Sequence, residues 1–514
     1  MTRLVSLDGH GLTLEEIEAV ARETAIRVVL SDEARERVRA SREVIESKVR
    51  AGERVYGVTT GFGRLADVAI APDERTALQH NLVRSHASGM GTPLPRETVR
   101  SIMLLRANAL ARGVSGCRDV VIDTLLALLN AGIHPVVPEF GSVGASGDLA
   151  PLAHVALGLL GEGDAECGGR VGPASEFLRA HGITSLKLDS KEGLALINGT
   201  QATTGLGILA LRRAERAMDS AEAAAAMSHE ALLGTPVAYR EEIHAARPHV
   251  GQKHSARILL SLLDGSEIRE SHRENDPRVQ DAYSLRCVPQ VHGAARQALD
   301  YARGILEVEA NSATDNPLVF AEAGVIASGG NFHAQIVSQA LDLVAIALAD
   351  LAAISERRIE RLLNPDLSMG LPAFLAASPG LESGFMIAQV TAVDLLAELR
   401  LLAGPASIDS VTTSANQEDH VSMGLAAARK AIRSVVCLER VLATELMCAA
   451  EGIEYRRPLR AGAGVEEVHS AVRGRVRRLT GDRMLGPDLD SLTELVTSGV
   501  VADIVAQYEP TNDS

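Results

Sequence analysis

Ser146 stands among glycines in the stretch Gly141-Ser-Val-Gly-Ala-Ser-Gly-Asp-Leu-Ala-Pro-Leu-Ala-His154, and a serine so placed invites a nucleophilic reading. A nucleophile elbow needs a second glycine two residues after the serine and a buried strand leading in. Asp148 occupies that glycine's place, and no apolar strand precedes the loop, so serine hydrolysis has no support. Metal chemistry fares no better among the 15 histidines: His229-Glu230 continues to Leu233 where an HExxH site needs its second histidine. Neither GxxxxGK[ST] nor a GxGxxG that opens a helix is present, so nothing cradles a nucleotide.

The elements around Ser146 explain its setting. Asp148 is a good N-cap type, Pro151 is tolerated in a first helical turn, and apolar residues then run to Leu160. Ala145-Ser146-Gly147 thus precedes a helix N-terminus in a loop loosened by Gly141, Gly144 and Gly147. By residue type alone this is a tight turn into a helix. Elsewhere helical signals dominate. Thr13 to Glu16 reads as a capping box, and Ser31 caps a charged segment that Gly52 closes. Gln201 to Leu233 is nearly free of helix breakers, Gln335 to Leu363 carries an apolar stripe, and Glu418 to Glu451 runs up to Gly452. Ser414 and Gln417 resemble a capping box, which predicts Glu418 in a first helical turn. Long helices with small side chains predict a mainly α bundle. Organisation changes near residue 198, which predicts domains at 1–197 and 198–514.

Lys and Arg number 51 and Asp and Glu 66, a net charge of −15. Such a surface repels phosphate backbones and anionic lipid, and with aromatics at 3% and no Trp there is no stacking platform for bases. Five cysteines without a CxxC pair suit reduced thiols in the cytoplasm. The apolar run Ile336 to Ile354 is interrupted by Asp342 and Asp350, and is therefore not read as a membrane span.

The triplet Ala145-Ser146-Gly147, in its setting, resembles the self-processing triplet of the aromatic amino acid ammonia-lyases, most closely of the members acting on histidine. The resemblance runs through Tyr56–Gly63, Asn81–Gly89, Leu196–Thr200, Gln280–Gln290, Asn311–Pro317, Gly329–His333 and Asn416–Met423. It implies a fumarase/aspartase-like bundle of long helices with a smaller N-terminal helical domain carrying the loop. It also implies 4-methylidene-imidazol-5-one (MIO), formed when the Gly147 nitrogen attacks the Ala145 carbonyl and two waters are lost. Ser146 becomes 2,3-didehydroalanine, and no external cofactor or metal is needed. The residue types suit this chemistry. Gly lacks the Cβ that would block so tight a fold-back, and Ser supplies the hydroxyl whose loss makes the exocyclic methylene.

The same resemblance assigns roles. Tyr56, at the head of a glycine-containing loop able to act as a lid, matches the general base. Arg286 matches the arginine that holds the substrate carboxylate with a planar fork. Tyr283 shares a helical face with Arg286 if the segment is helical, and with Asn198 it matches the hydrogen-bonding groups beside MIO. Gln280 and Phe332 match pocket positions. The helix after Asp148 directs its positive end at developing charge. Family members are homotetramers whose sites draw on three subunits.

Substrate choice rests on His86 and Glu418. Phenylalanine lyases usually carry Phe-Leu where this chain has Ser85-His86, and tyrosine lyases His-Leu; tyrosine aminomutases can share Ser-His. A carboxylate at Glu418 can accept an imidazole N–H, where phenylalanine-type members place a neutral group. A benzene ring would leave both groups unpaired at roughly 1–3 kcal/mol each. The expectation is a carbon–nitrogen lyase converting L-histidine to trans-urocanate and ammonia, the first step of histidine degradation. The alternative is a tyrosine or phenylalanine ammonia-lyase or 2,3-aminomutase.

Overall fold

The computed structural model describes residues 3–61, 68, 70–274 and 276–509. Phe62 and Gly63, the end of the block that begins at Tyr56, lie outside the described residues. The chain is mainly α. Its contacts group into two units. The first comprises Met1–Leu209, Arg303–Asp342 and Pro405–Arg429, and the second Ala210–Ala302, Leu343–Gly404 and Lys430–Ser514. A single cut after residue 197 cannot describe this grouping, because two later segments return to the first unit. Four of the boundaries fall inside long helices, Gln201–Ala231, Val288–Ala310, Gln335–Leu363 and Gly424–Glu454.

The first unit is centred on the helix Arg96–Ala111, buried along nearly its whole length and packed on Leu14–Arg22 and Asp119–Ala131. Arg100 lies fully buried within it because its guanidinium is spent on main-chain oxygens, Val20 at 2.9 Å and Leu129 at 3.0 Å. The start signals act as expected: Glu16 N donates to Thr13 Oγ1 at 3.1 Å, Glu16 Oε2 accepts from Thr13 N at 3.1 Å, and Ser31 caps Asp32–Arg50. Strands are short. Leu4–Leu7 pairs in parallel with Arg27–Leu30, and Met90–Pro93 pairs antiparallel with Pro138–Phe140, just ahead of the serine loop.

In the second unit, buried polar groups tie the long helices side by side. Glu222 accepts from His292 Nδ1 and from Ser255 Oγ, both at 3.1 Å. Glu445 accepts from Ser228 Oγ at 2.7 Å, from Ser355 Oγ at 2.5 Å and from Arg358 Nη2 at 2.9 Å. These charges are fully buried, so loss of one partner would cost about 3–5 kcal/mol.

The sequence expectation for Glu418 is corrected. Glu418 is not in a first helical turn: the long C-terminal helix begins only at Gly424 and continues through Gly452 to Glu454. Ser414, Ala415, Asn416 and Met423 all have positive φ, which interrupts any helix there. The apolar helix Gln335–Leu363 is long and apolar enough to cross a membrane, yet 67% of its most apolar window is buried within the protein. Asp342 is buried on it and accepts from Ser407 N at 2.8 Å.

Candidate active site

The loop from Gly141 to Asp148 is held by chain segments distant in sequence. Ser146 has φ +58° and Gly147 φ +79°, and a bridge joins Gly144 to Gly147. Asp148 N donates to Gly199 O at 2.7 Å. A Cβ on Gly147 would lie 2.2 Å from that same oxygen, so only glycine fits. On the other side, Met423 N donates to Val143 O at 2.9 Å, and a Cβ on Gly144 would meet Ser422 Oγ at 2.1 Å.

Asp148 sits at the start of the helix Leu149–Leu160 but makes no side-chain cap there. Its carboxylate instead accepts from Thr203 N at 2.7 Å, Thr203 Oγ1 at 2.9 Å and Ser142 Oγ at 2.9 Å. It therefore caps the next long helix, Gln201–Ala231, and fastens that helix to the loop. Burial pushes the carboxyl above its ordinary range, against the bonds from Thr203 and Ser142.

Ser146 donates its hydroxyl to Asn198 Oδ1 at 2.8 Å. Asn198 ends the short buried helix Glu192–Ile197 and is itself fully buried. Ser146 also lines a cavity of about 710 Å³, whose wall includes Tyr56, Ser85, His86 and Glu418. Leu78, Leu82, Leu194 and Ile197 supply apolar walls. His86 ends the helix Arg75–His86, and its Nδ1 lies 2.8 Å from Leu82 O. A carbonyl only accepts, so Nδ1 carries the proton and Nε2 remains for a ligand. Glu418 is placed by Thr413, whose hydroxyl donates to Glu418 Oε2 at 2.8 Å.

Of the residues singled out in sequence, the cavity gathers Tyr56, His86, Ser146 and Glu418, with Ala145 and Gly147 flanking the serine and Asn198 bonded to it. Phe332 belongs to the same unit, half-buried in a turn before Gln335–Leu363, and does not line the cavity. Gln280, Tyr283 and Arg286 belong to the second unit. Tyr283–Arg286 forms one helical turn, and the Arg286 guanidinium stacks 4.5 Å from the Tyr283 ring centroid. Gln280 is exposed and Tyr283 is 69% exposed. Behind the turn, buried Tyr239 donates its hydroxyl to Leu285 O at 2.8 Å and lies 3.2 Å from His229 Nδ1. Sequence reasoning missed Thr203 and Tyr239, which pair with residues about 50 positions away, and Thr413, whose bond to Glu418 depends on a non-helical turn.

The pattern of the aromatic amino acid lyase family matches residues 12–474. The chain belongs to the aromatic amino acid lyases. This lyase is 52% identical over 501 residues to a histidine ammonia-lyase of Anaeromyxobacter sp. (strain K), covering 96% of this chain and 98% of that protein. Its fold matches the crystal structure of histidine ammonia-lyase from Trypanosoma cruzi with a TM-score of 0.92 and 45% identity, over 99% of this chain and 96% of the other. Tyrosine aminomutase from Streptomyces globisporus superposes with the same TM-score of 0.92 at 39% identity, over 99% of both chains. Backbone likeness alone does not choose between these two chemistries; the cavity residues must.

Proposed function

We propose that this lyase deaminates L-histidine to trans-urocanate and ammonia, using MIO made from Ala145, Ser146 and Gly147. The observation that carries the reading is the one cavity lined by Tyr56, His86, Ser146 and Glu418. The loop fits the group it is proposed to form. Positive φ at Ser146 and Gly147 already folds the triplet back, and Gly199 leaves no room for a Cβ on Gly147. MIO supplies an electrophilic methylene that makes the substrate amine a better leaving group.

The chain's own side chains perform the rest. Tyr56, on the cavity wall, takes the β-proton. Glu418 accepts an imidazole N–H, and His86 offers Nε2 because Leu82 holds its other nitrogen. Apolar Leu194 and Ile197 shed water from the ring. Arg286 binds the carboxylate, and Tyr283 and Gln280 act from the same segment. In a homotetramer, neighbouring copies supply these groups, with Phe332, to each site. The enzyme works in the cytoplasm on a small molecule.

The test is urocanate formation, followed by ultraviolet absorbance, when purified protein meets L-histidine. Tyrosine and phenylalanine belong in the same panel. A β-amino acid product or preferred cinnamate-type product would establish the aminomutase or phenyl-specific alternative and overturn histidine as substrate.

A further inference from the structure

We propose that the buried ion pair between Lys191 and Asp315 positions Asn198, and through it the Ser146 hydroxyl, for maturation of the loop. The inference rests on the MIO reading above, and adds residues for which that reading gives no role.

Lys191 Nζ lies 2.8 Å from Asp315 Oδ2, with both side chains at most 1% exposed. Lys191 also holds φ +76°, a conformation that side-chain-bearing residues rarely adopt. Such strain persists only where surroundings over-determine it. The other Asp315 oxygen lies 3.4 Å from Asn198 Nδ2, which donates at 2.9 Å to Asn316 O. Both neighbours of Nδ2 are pure acceptors, so the Asn198 amide cannot turn over. Its Oδ1 must face Ser146, and there it accepts the hydroxyl at 2.8 Å. Arg106 Nη1 secures the main chain of Asn198 through its carbonyl at 2.8 Å.

The chemistry needs that orientation. Ring closure joins Gly147 N to the Ala145 carbonyl carbon. The carbonyl oxygen leaves as water with the amide hydrogens of Ser146 and Gly147. A second water takes the Ser146 hydroxyl and its Cα proton, leaving a Cα=Cβ double bond. No oxidant enters. Elimination requires the Cβ–Oγ bond to be aligned with the breaking Cα–H bond, and a hydroxyl pinned by a fixed acceptor keeps one rotamer. Without the ion pair, one of the two acceptors that fix Nδ2 is lost, the amide is held by Asn316 O alone, and the single orientation of the Ser146 hydroxyl is weakened.

The experiment compares full-length wild type with Lys191→Met/Asp315→Asn, which removes both charges together, and with Asn198→Leu, which alters no charge. Intact mass and near-ultraviolet absorbance report maturation, while circular dichroism and thermal melting report folding. Both variants are expected to fold and to mature about 10²-fold more slowly, leaving a species heavier by two waters. A merely structural pair predicts a lower melting temperature with complete loss of both waters. Wild-type maturation in either variant overturns the proposal, and if the double variant does not fold, the isosteric Asp315→Asn change decides for the pair while Asn198→Leu decides for the amide. Wild type that itself never loses two waters would instead overturn the MIO reading, a separate and recognisable outcome.

Discussion

Thr413 and Glu418 exchange main-chain hydrogen bonds in both directions, N to O at 2.8 Å and 3.3 Å, while the threonine hydroxyl holds the glutamate carboxylate at 2.8 Å. The carboxylate is therefore set by a closed loop and not by a helix dipole. A role for Glu418 in helix stabilisation loses its basis, and its position on the cavity wall carries the interpretation.

Glu418→Gln should lower kcat/KM for histidine by roughly 10–10³-fold, the 1.4–4 kcal/mol of a charge-assisted hydrogen bond. Maturation should be complete, because the serine loop is untouched. Combining it with His86→Leu should raise relative activity toward phenylalanine and depart from additivity if both grip one ring. Unchanged histidine kinetics in a stable Glu418→Gln protein would remove the main argument for histidine.

Maturation is tested at the triplet. Ser146→Ala should fold yet lack the near-ultraviolet absorbance and the loss of two waters. Gly147→Ala keeps the serine but should hinder ring closure and slow processing, since its Cβ would come 2.2 Å from Gly199 O. Full activity in Ser146→Ala would refute the mechanism.

Chemistry and binding should separate. Tyr56→Phe keeps the ring but removes the ionisable oxygen, so kcat should fall by about 10²-fold or more. Arg286→Lys should act chiefly on KM, because a point charge replaces a bidentate fork. Equal effects of both, tracking only melting temperature, would make them structural residues.

The His229 beneath Tyr239 predicts an acid limit to stability. Burial, with Arg278 and His272 nearby, lowers its pKa from 6.5 to about 3. The unfolded chain thus binds this proton first. The stabilisation is whole above pH 6.5 and is lost as pH falls toward 3, by about 1.4 kcal/mol per unit at most. Melting temperature measured across that window should fall less steeply in His229→Gln. An identical slope would show that other groups set the limit.

Local signals made the helices legible: capping at Thr13 and Ser31 and the stripe from Gln335 were correct because they depend on neighbours three or four residues away. Glu418 was misplaced because Ser414 and Gln417 have capping residue types, while the backbone there turns through positive φ. Asp148 was legible as a cap but not as the cap of a different helix, since Thr203 is its partner only in three dimensions. His86 and Ser146 share a cavity although 60 residues separate them, and only motif resemblance joined them beforehand.

The hold of Met423 on Val143 bears on how the protein is made. A ribosome that has translated as far as residue 400 has released the whole serine loop together with Gly199 and Thr203, but not yet Ser422 or Met423. The emerging loop is then braced on one flank only. Its second flank arrives with the last fifth of the chain, so the timing of synthesis separates exposure of Ala145-Ser146-Gly147 from completion of the surroundings that hold it.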